Sequence, residues 1–169
     1  MIDDKTMDDM LRQLSRYADG EGGPCHRKNV VALATIHGTR VPVTSAKNTL
    51  PVRCMDCRLI CPRARGESRM DDYSDCPSIH AEANLLESLE WIMGAASDRY
   101  QGFLINGGDV AFDVYVSAPP CRGCMDTLTD SPMIADIAWV RRPGRDDHVP
   151  VPDPVDGHRF HELKEDDDD

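Results

Sequence analysis

Two short segments of the sequence hold residue types that bind and use a transition metal. The first is His80-x-Glu82, and the second is Pro120-Cys121-x-x-Cys124. One imidazole and two thiolates suit a catalytic zinc ion, which takes three protein ligands and keeps its fourth position for water. A carboxylate two residues after the histidine can carry protons at the same place. Together the two segments predict a metal site with an acid/base group beside it.

Either segment alone is weak evidence of catalysis. A His-x-Glu on a helix is usually a surface feature, and a Cys-x-x-Cys also occurs as a structural zinc half-site or a redox pair. In this order, however, the segments match the zinc deaminase signature H-x-E followed by P-C-x-x-C, in which the glutamate is the general acid/base and not a ligand. We therefore predict His80, Cys121 and Cys124 as zinc ligands and Glu82 as the catalytic residue.

Helix starts are expected to position these residues. Hydrophobic periodicity predicts a helix over residues 80–96, with Leu85 and Leu89 on its apolar face. Leu86 and Trp91 lie off that face and are candidates for an oligomer interface. A short helix from Cys121 would place both thiolates near free backbone N–H groups, which stabilise the charged sulfur.

The other elements favour a sheet covered by helices. An α-helix is expected first, then a β-hairpin, then two strands, one on each side of the Cys-x-x-Cys helix. Pro42 limits the second hairpin strand to an edge or a bulge. The expected ranges are 3–18 for the helix, 29–36 and 41–45 for the hairpin, and 111–117 and 134–140 for the later strands.

Length and charge restrict the class of protein. A chain of 169 residues suits one domain, and its net charge of −11 argues against a nucleic-acid partner. No apolar run approaches the roughly 20 residues of a membrane span. The start lacks a secretory signal pattern, so we expect a cytoplasmic protein, in which cysteines are metal ligands or free thiols. We expect a small-molecule substrate.

Between about Pro24 and Val140 the chain resembles the deoxycytidylate (dCMP) deaminases of the cytidine deaminase-like superfamily. The family has a Cys-x-Arg before the first strand, an Asn-containing loop after the second, a C-x-x-x-H-A-E-x-N box and a strand ending in Pro-Cys-x-x-Cys. The matching residues here are Cys25 and Arg27, then Asn48 and Pro51, then Cys76, His80, Ala81, Glu82 and Asn84, then Pro120, Cys121 and Cys124.

The resemblance implies an α/β fold, a three-layer α/β/α sandwich with a mixed five-stranded central sheet. It implies zinc-dependent deamination of dCMP to dUMP and ammonia, which supplies dUMP for dTMP. Asn48 would hydrogen-bond the deoxyribose, and the backbone carbonyl of Ala118 would accept from the exocyclic amine. Lys47 and Thr49 replace a Tyr and a Gly of the family loop, so control by dCTP and dTTP is not carried over. Deaminases of this fold are commonly homo-oligomers.

Two further groups of residues are weaker candidates. Arg27, Arg53 and Arg58, together with Lys28, are candidates for the substrate phosphate. A second, structural zinc is expected among five cysteines and a histidine with short spacings. These are Cys25, Cys54, Cys57, Cys61, Cys76 and His26.

The expected deaminase domain spans residues 1–145. Residues 146–169 are proline-rich and then acidic, and are expected to form a flexible tail. We expect His37, at a turn, and His148, His158 and His161, in the tail, to be solvated.

Two alternatives remain open at this point. The chain could deaminate another free aminated base, nucleoside or modified cytosine nucleotide. It could also be a non-catalytic zinc-binding module, although a structural zinc has no need of a carboxylate like Glu82. A nucleic-acid editing enzyme fits poorly, because such enzymes need a basic or aromatic channel.

Overall fold

The computed structural model describes residues 2–20, 29–50, 57–62, 65–67, 78–99, 110–147 and 149–165, apart from the side chains of residues 57, 58 and 96–99. Four helices and five strands lie in these ranges. In chain order they are α1 Asp4–Gly20, β1 Val31–Ile36, β2 Pro42–Lys47, α2 Cys57–Ile60, α3 Ala81–Arg99, β3 Phe112–Val116, α4 Arg122–Asp130, β4 Ile134–Arg141 and β5 Arg159–Lys164.

The five strands form one mixed sheet in the order β2-β1-β3-β4-β5. β1 runs antiparallel to β2 and β3, while β3, β4 and β5 are parallel to one another. α1 packs on one face of this sheet, and α3 and α4 pack on the other. The predicted three-layer α/β/α sandwich is therefore confirmed.

The β1–β2 hairpin forms as its turn residues require. Gly38 adopts a φ of 72° in the turn, a left-handed conformation that costs a glycine little. The register shifts between Ala34 and Thr35, opposite Pro42, and β2 is an edge strand. Both features agree with a proline that cannot donate to the ladder.

The α3 and α4 side of the sheet is an apolar core. Leu85, Leu89 and Leu128 are fully buried there against Val114 and Ile137. Leu86 is also buried in this core, so the proposal that it serves an oligomer interface is wrong. The helix continues past Leu89 to Arg99, and Trp91 on it is 74% exposed.

A second apolar core lies between α1 and the other face of the sheet. Met7, Leu11 and Leu14 of α1 pack on Tyr115 and Val140 of the sheet. The helix begins where expected, because the Asp3 carboxylate accepts a hydrogen bond from the Thr6 N–H at 2.8 Å. Capping and the apolar stripe together fix α1 against β3 and β4.

The chain beyond residue 145 differs from the expected flexible tail. Arg159–Lys164 forms β5, which pairs in parallel with β4 over its whole length. Glu162 on β5 accepts hydrogen bonds from Trp139 Nε1 at 2.8 Å and from Arg141 Nε at 2.7 Å. Arg141 Nη1 also donates to the carbonyls of Asp146 and Val149 at 2.8 Å. The two bonds to Glu162 tie β5 to β4, although the composition of this segment does not favour a strand.

Of the histidines expected to be solvated, His161 is part of the packed structure, whereas His37 is exposed and touches one buried group. The His161 side chain is only 16% exposed, and its Nε2 lies 2.7 Å from Asp8 Oδ1 on α1. The imidazole of His37 lies 2.6 Å from the buried carboxylate of Asp113. His158 is half-buried, and His148 lies outside the described residues. Within the described part of the chain, no helix has the length and apolar character needed to cross a membrane.

Candidate metal centre

The end of β3 leads directly into the Cys-x-x-Cys segment. Beyond β3, Ser117 Oγ accepts a hydrogen bond from the Val31 N–H at 2.9 Å, which ties this exit to β1. Cys121 is the N-cap residue of α4, with extended backbone angles, and Cys124 lies in the first turn. The prolines before Cys121 suit a helix start, since proline needs no N–H partner there. The two sulfurs therefore sit at the N-terminus of α4, where the helix dipole favours negative charge.

The N-terminus of α3 brings His80 to the same place. Thr49 and Ile79 form an isolated antiparallel bridge that fixes the approach to α3. His80 Nδ1 then lies 3.1 Å from Cys124 Sγ and 3.5 Å from Cys121 Sγ. One donor atom from each of the three residues lies within 4.8 Å of the others. The two helix starts thus converge on one group of donors.

The separations suit a tetrahedral zinc ion. With Zn–N near 2.05 Å and Zn–S near 2.3 Å, tetrahedral angles place nitrogen and sulfur about 3.6 Å apart. The observed 3.1 and 3.5 Å need only small outward movements. Two sulfurs and one imidazole are also the ligand types that zinc accepts in proteins. The residues present therefore fit a zinc ion with one coordination position left over.

Glu82 lies in the first turn of α3, beside the three donors. The residue is only 4% exposed, and burial raises the pKa of its carboxyl group. Smaller opposing effects on that pKa come from the charge of His80 and a hydrogen bond with Cys124, so the carboxyl group lies against the donors. A buried carboxyl group with an elevated pKa is suited to taking up and giving back a proton near neutral pH.

The two thiols interact strongly with each other. The hydrogen bond from Cys124 lowers the pKa of Cys121 to about 4, and the contact with His80 acts in the same direction. The same thiol–thiol contact, with burial, raises the pKa of Cys124. One sulfur is thus held as a thiolate by its neighbour, and a bound metal cation would favour thiolate at both.

A loop beside the donors contains Asn48, which is 6% exposed. Its side-chain Oδ1 accepts a hydrogen bond from the Val30 N–H at 3.1 Å. Asn84 on α3 donates through Nδ2 to the Lys47 carbonyl at 2.8 Å and to Thr49 Oγ1 at 3.0 Å. Asn84 therefore fixes the residues on both sides of Asn48.

In the sequence, Asn84 is the last residue of the C-x-x-x-H-A-E-x-N box, and the motif alone gives it no role. Its spacing, one helical turn after His80, was the available signal, because residues four apart lie on one helix face. Ala118, predicted to offer its carbonyl, is 4% exposed and lies between the end of β3 and Cys121.

The remaining candidates lie mostly outside the described residues. These are Arg27, Lys28, Arg53, Cys25, His26, Cys54 and Cys76, together with the side chains of Cys57 and Arg58 in α2. Cys61 is described, is 2% exposed and packs with Leu50 and Ile60. Among described residues, Cys61 joins no group of metal donors. The phosphate site and the second zinc therefore stay predictions.

The described fold is shared with solved deaminases. A dCMP deaminase from cyanophage S-TIM5, in complex with dCMP and dUMP, superposes with a TM-score of 0.55 at 11% identity, over 96% of this chain and 100% of that one. The same enzyme in apo form gives a TM-score of 0.50 at 10% identity over the same shares. No protein-family model matches the sequence, and no curated protein matches it.

These similarities define the class of fold. The chain has the cytidine deaminase-like α/β fold, as the sequence motifs predicted. The two dCMP deaminase structures share this fold over 96% of this chain.

Proposed function

We propose that the chain is a zinc-dependent hydrolytic deaminase and that its substrate is dCMP. One observation carries the proposal: His80, Cys121 and Cys124 converge on one point at two helix starts, with the buried Glu82 against them. A structural zinc site is closed by four protein ligands, whereas three ligands and an adjacent carboxylate suit catalysis. The substrate rests on the dCMP deaminase resemblance of the sequence motifs.

The proposed reaction adds water to the cytosine ring and releases ammonia. When bound by the three donors, zinc supplies the Lewis acidity that makes water a nucleophile at neutral pH. Glu82 takes the proton from the attacking water and delivers protons to N3 and then to the leaving amine. The bond that forms is C4–O and the bond that breaks is C4–N, so dCMP and water give dUMP and ammonia.

The remaining residues bind and orient the substrate. Asn48 donates to the deoxyribose from the loop that Asn84 holds, and Ala118 accepts from the exocyclic amine through its carbonyl. Arg27, Arg53 and Arg58 are candidates for the phosphate. We also expect that the protein forms a homo-oligomer and that it is cytoplasmic. Both stay predictions.

The test is ammonia release from a panel of substrates by zinc-loaded protein. The panel holds dCMP, deoxycytidine, cytidine, CMP, guanine and an aminopyrimidine. A site that binds the phosphate should prefer dCMP over deoxycytidine in kcat/KM by roughly ten- to a hundredfold, the worth of charge-assisted hydrogen bonds.

Other outcomes identify the alternatives. Faster turnover of another aminated base would keep the deaminase proposal and replace dCMP as its substrate. Zinc bound without turnover of any member would favour a non-catalytic zinc-binding module.

A further inference from the structure

A second group of donor residues lies at the other end of β3. Strand register places Thr35, Asp113 and Asp136 side by side on β1, β3 and β4, with Arg159 next on β5. Alternation along β3 puts Asp113 on the same face as Tyr115, which packs under α1. From Asp113 to Ser117 the strand rises roughly 13 Å, so this row is remote from the cysteines.

His37 completes the group from the hairpin turn. Its Nδ1 lies 2.6 Å from Asp113 Oδ1, and the Gly38 N–H donates to Asp113 Oδ2 at 2.9 Å. One donor atom each from His37, Asp113 and Asp136 lies within 4.8 Å of the other two. The sequence separates these residues by 76 and 23 positions, and only the fold brings them together.

Two of the three residues are carboxylates with almost no access to water. Asp113 is 1% exposed and Asp136 is 6% exposed. Like charges directly opposite each other on neighbouring strands repel, and a buried charge is costly unless it is paired or coordinates a metal. A positive partner between the two strands would offset both costs.

The protein groups around Asp136 do not fully provide that partner. Among the described residues, Asp136 Oδ2 is buried and has no hydrogen-bond partner. Arg159 Nη1 lies 3.9 Å away, beyond hydrogen-bond distance. The guanidinium instead donates to the Ile2 carbonyl at 2.9 Å and pairs with Asp4. Asp136 thus offers a buried oxygen that accepts no hydrogen bond and has only the Arg159 guanidinium at ion-pair distance.

We propose that His37, Asp113 and Asp136 bind a first-row divalent cation, separate from the zinc of the deaminase centre. Imidazole with two carboxylates is a mixed nitrogen and oxygen donor set, which suits Mn²⁺, Fe²⁺ or Zn²⁺ better than the oxygen-only sites of Ca²⁺. Neighbouring ligands of such an ion stand about 3 Å apart, at metal–ligand distances near 2.1 Å. The His37 ring must therefore move about 0.4 Å from Asp113 and present an unprotonated Nδ1.

The exposed side of the group allows this movement. The His37 side chain is 39% exposed at the hairpin turn, so the ring can shift and water can fill the remaining coordination positions. The ion would link the β1–β2 turn to β3 and β4 on the α1 side of the sheet. Its role is structural, and it does not depend on whether the chain deaminates dCMP.

The test is Mn²⁺ binding to zinc-loaded protein, followed by the electron paramagnetic resonance signal of free Mn²⁺. Mn²⁺ is the probe because thiolate sites disfavour it and carboxylate sites accept it. We expect one Mn²⁺ per chain, with affinity at least tenfold weaker in His37→Gln and in Asp136→Asn. His161→Gln is the matched control, since it removes another partly buried imidazole that pairs with an aspartate, and it should bind Mn²⁺ normally.

Thermal unfolding supplies a second readout. Mn²⁺ at about a hundred times its dissociation constant should raise the Tm of the wild type by roughly 5 to 10 °C, and that of Asp136→Asn much less. In EDTA, Asp136→Asn should be at least as stable as the wild type, because the repulsion with Asp113 is removed.

Two results would overturn the proposal. One is the absence of saturable Mn²⁺ binding by the wild type. The other is equal binding by the wild type, His37→Gln and Asp136→Asn, which would leave a proton as the occupant between the carboxylates. Either result can occur with full deaminase turnover, so it would not count against the proposed function.

Discussion

The two donor groups lie at opposite ends of β3 and on opposite sides of the sheet. His80, Cys121 and Cys124 stand at helix N-termini and offer nitrogen and sulfur. His37 and Asp113, with Asp136, stand at a turn and on two strands and offer nitrogen and oxygen. The first group has a buried carboxyl group beside it, and the second has its carboxylates as donors.

This difference explains why only one group could be read from the sequence. A helix start places residues two or three apart at one point, so its donors form a short motif. A row across a sheet takes one residue from each strand, so its members are far apart in sequence. We propose that the α3 and α4 side of the sheet serves catalysis and that the α1 side serves stability. Predictions can test that division.

The same substitution on the two sides should have very different effects on activity. His80→Gln removes a metal donor, so we expect zinc binding to fail and turnover to fall by at least roughly a hundredfold. His161→Gln removes a hydrogen bond to Asp8 and should keep zinc and turnover. Its expected cost is about 1 kcal/mol, or a Tm lower by roughly 2 to 4 °C.

Zinc content, turnover and thermal unfolding of both variants check this pair. If His161→Gln lost activity as strongly as His80→Gln, the division between the two sides of the sheet would be wrong.

A smaller effect is expected at the start of α1. Hydrogen bonds from the Thr6 N–H and from the Thr6 side chain lower the pKa of Asp3 below its ordinary value of 3.8. A lowered carboxyl pKa stabilises the fold at higher pH, and this contribution disappears as pH falls from about 3.8 through the lowered value. Asp3→Ala should thus lower the Tm at neutral pH but not well below pH 3.8, with turnover unchanged.

Asp3→Asn is the matched control, because asparagine is an equally good N-cap without a charge. At neutral pH its Tm should lie between those of the wild type and Asp3→Ala, because it keeps the capping hydrogen bond and loses the charge. A loss of stability in Asp3→Ala that is independent of pH would assign the effect to the side chain's shape and not to its charge.

Most of the fold was accessible from local patterns. Periodicity predicted α1, α3 and the first four strands, because each carries its own apolar face or β-branched run. β5 was missed because RFHELK is polar and lies between a proline-rich stretch and an acidic end. Its stability depends on Arg141, Trp139 and α1, which are distant in sequence. Such contacts leave no local signal.

The candidate metal centre was likewise predictable from the sequence only where its residues form short motifs. The spacing predicts His80, Glu82, Cys121 and Cys124. The structure brings the three donors together and buries Glu82, while the roles of all four stay predictions. The hydrogen bonds from Asn84 to the residues on both sides of Asn48 have no signal in the sequence, because they depend on how α3 lies beside β2. The sequence places Asp113 in the expected strand 111–117 and gives it no role, because its partners come from other elements.

The central claim is that Glu82 shuttles protons beside a metal that it does not hold. The most direct measurement compares ammonia release from dCMP and zinc content in the same samples of wild type, Glu82→Gln and Glu90→Gln. Glu90 is exposed on the same helix and provides the matched change. We expect Glu82→Gln to keep its zinc and lose roughly a hundred- to ten-thousandfold in rate, with Glu90→Gln unaffected. Undiminished turnover in Glu82→Gln, with zinc bound, would contradict the account.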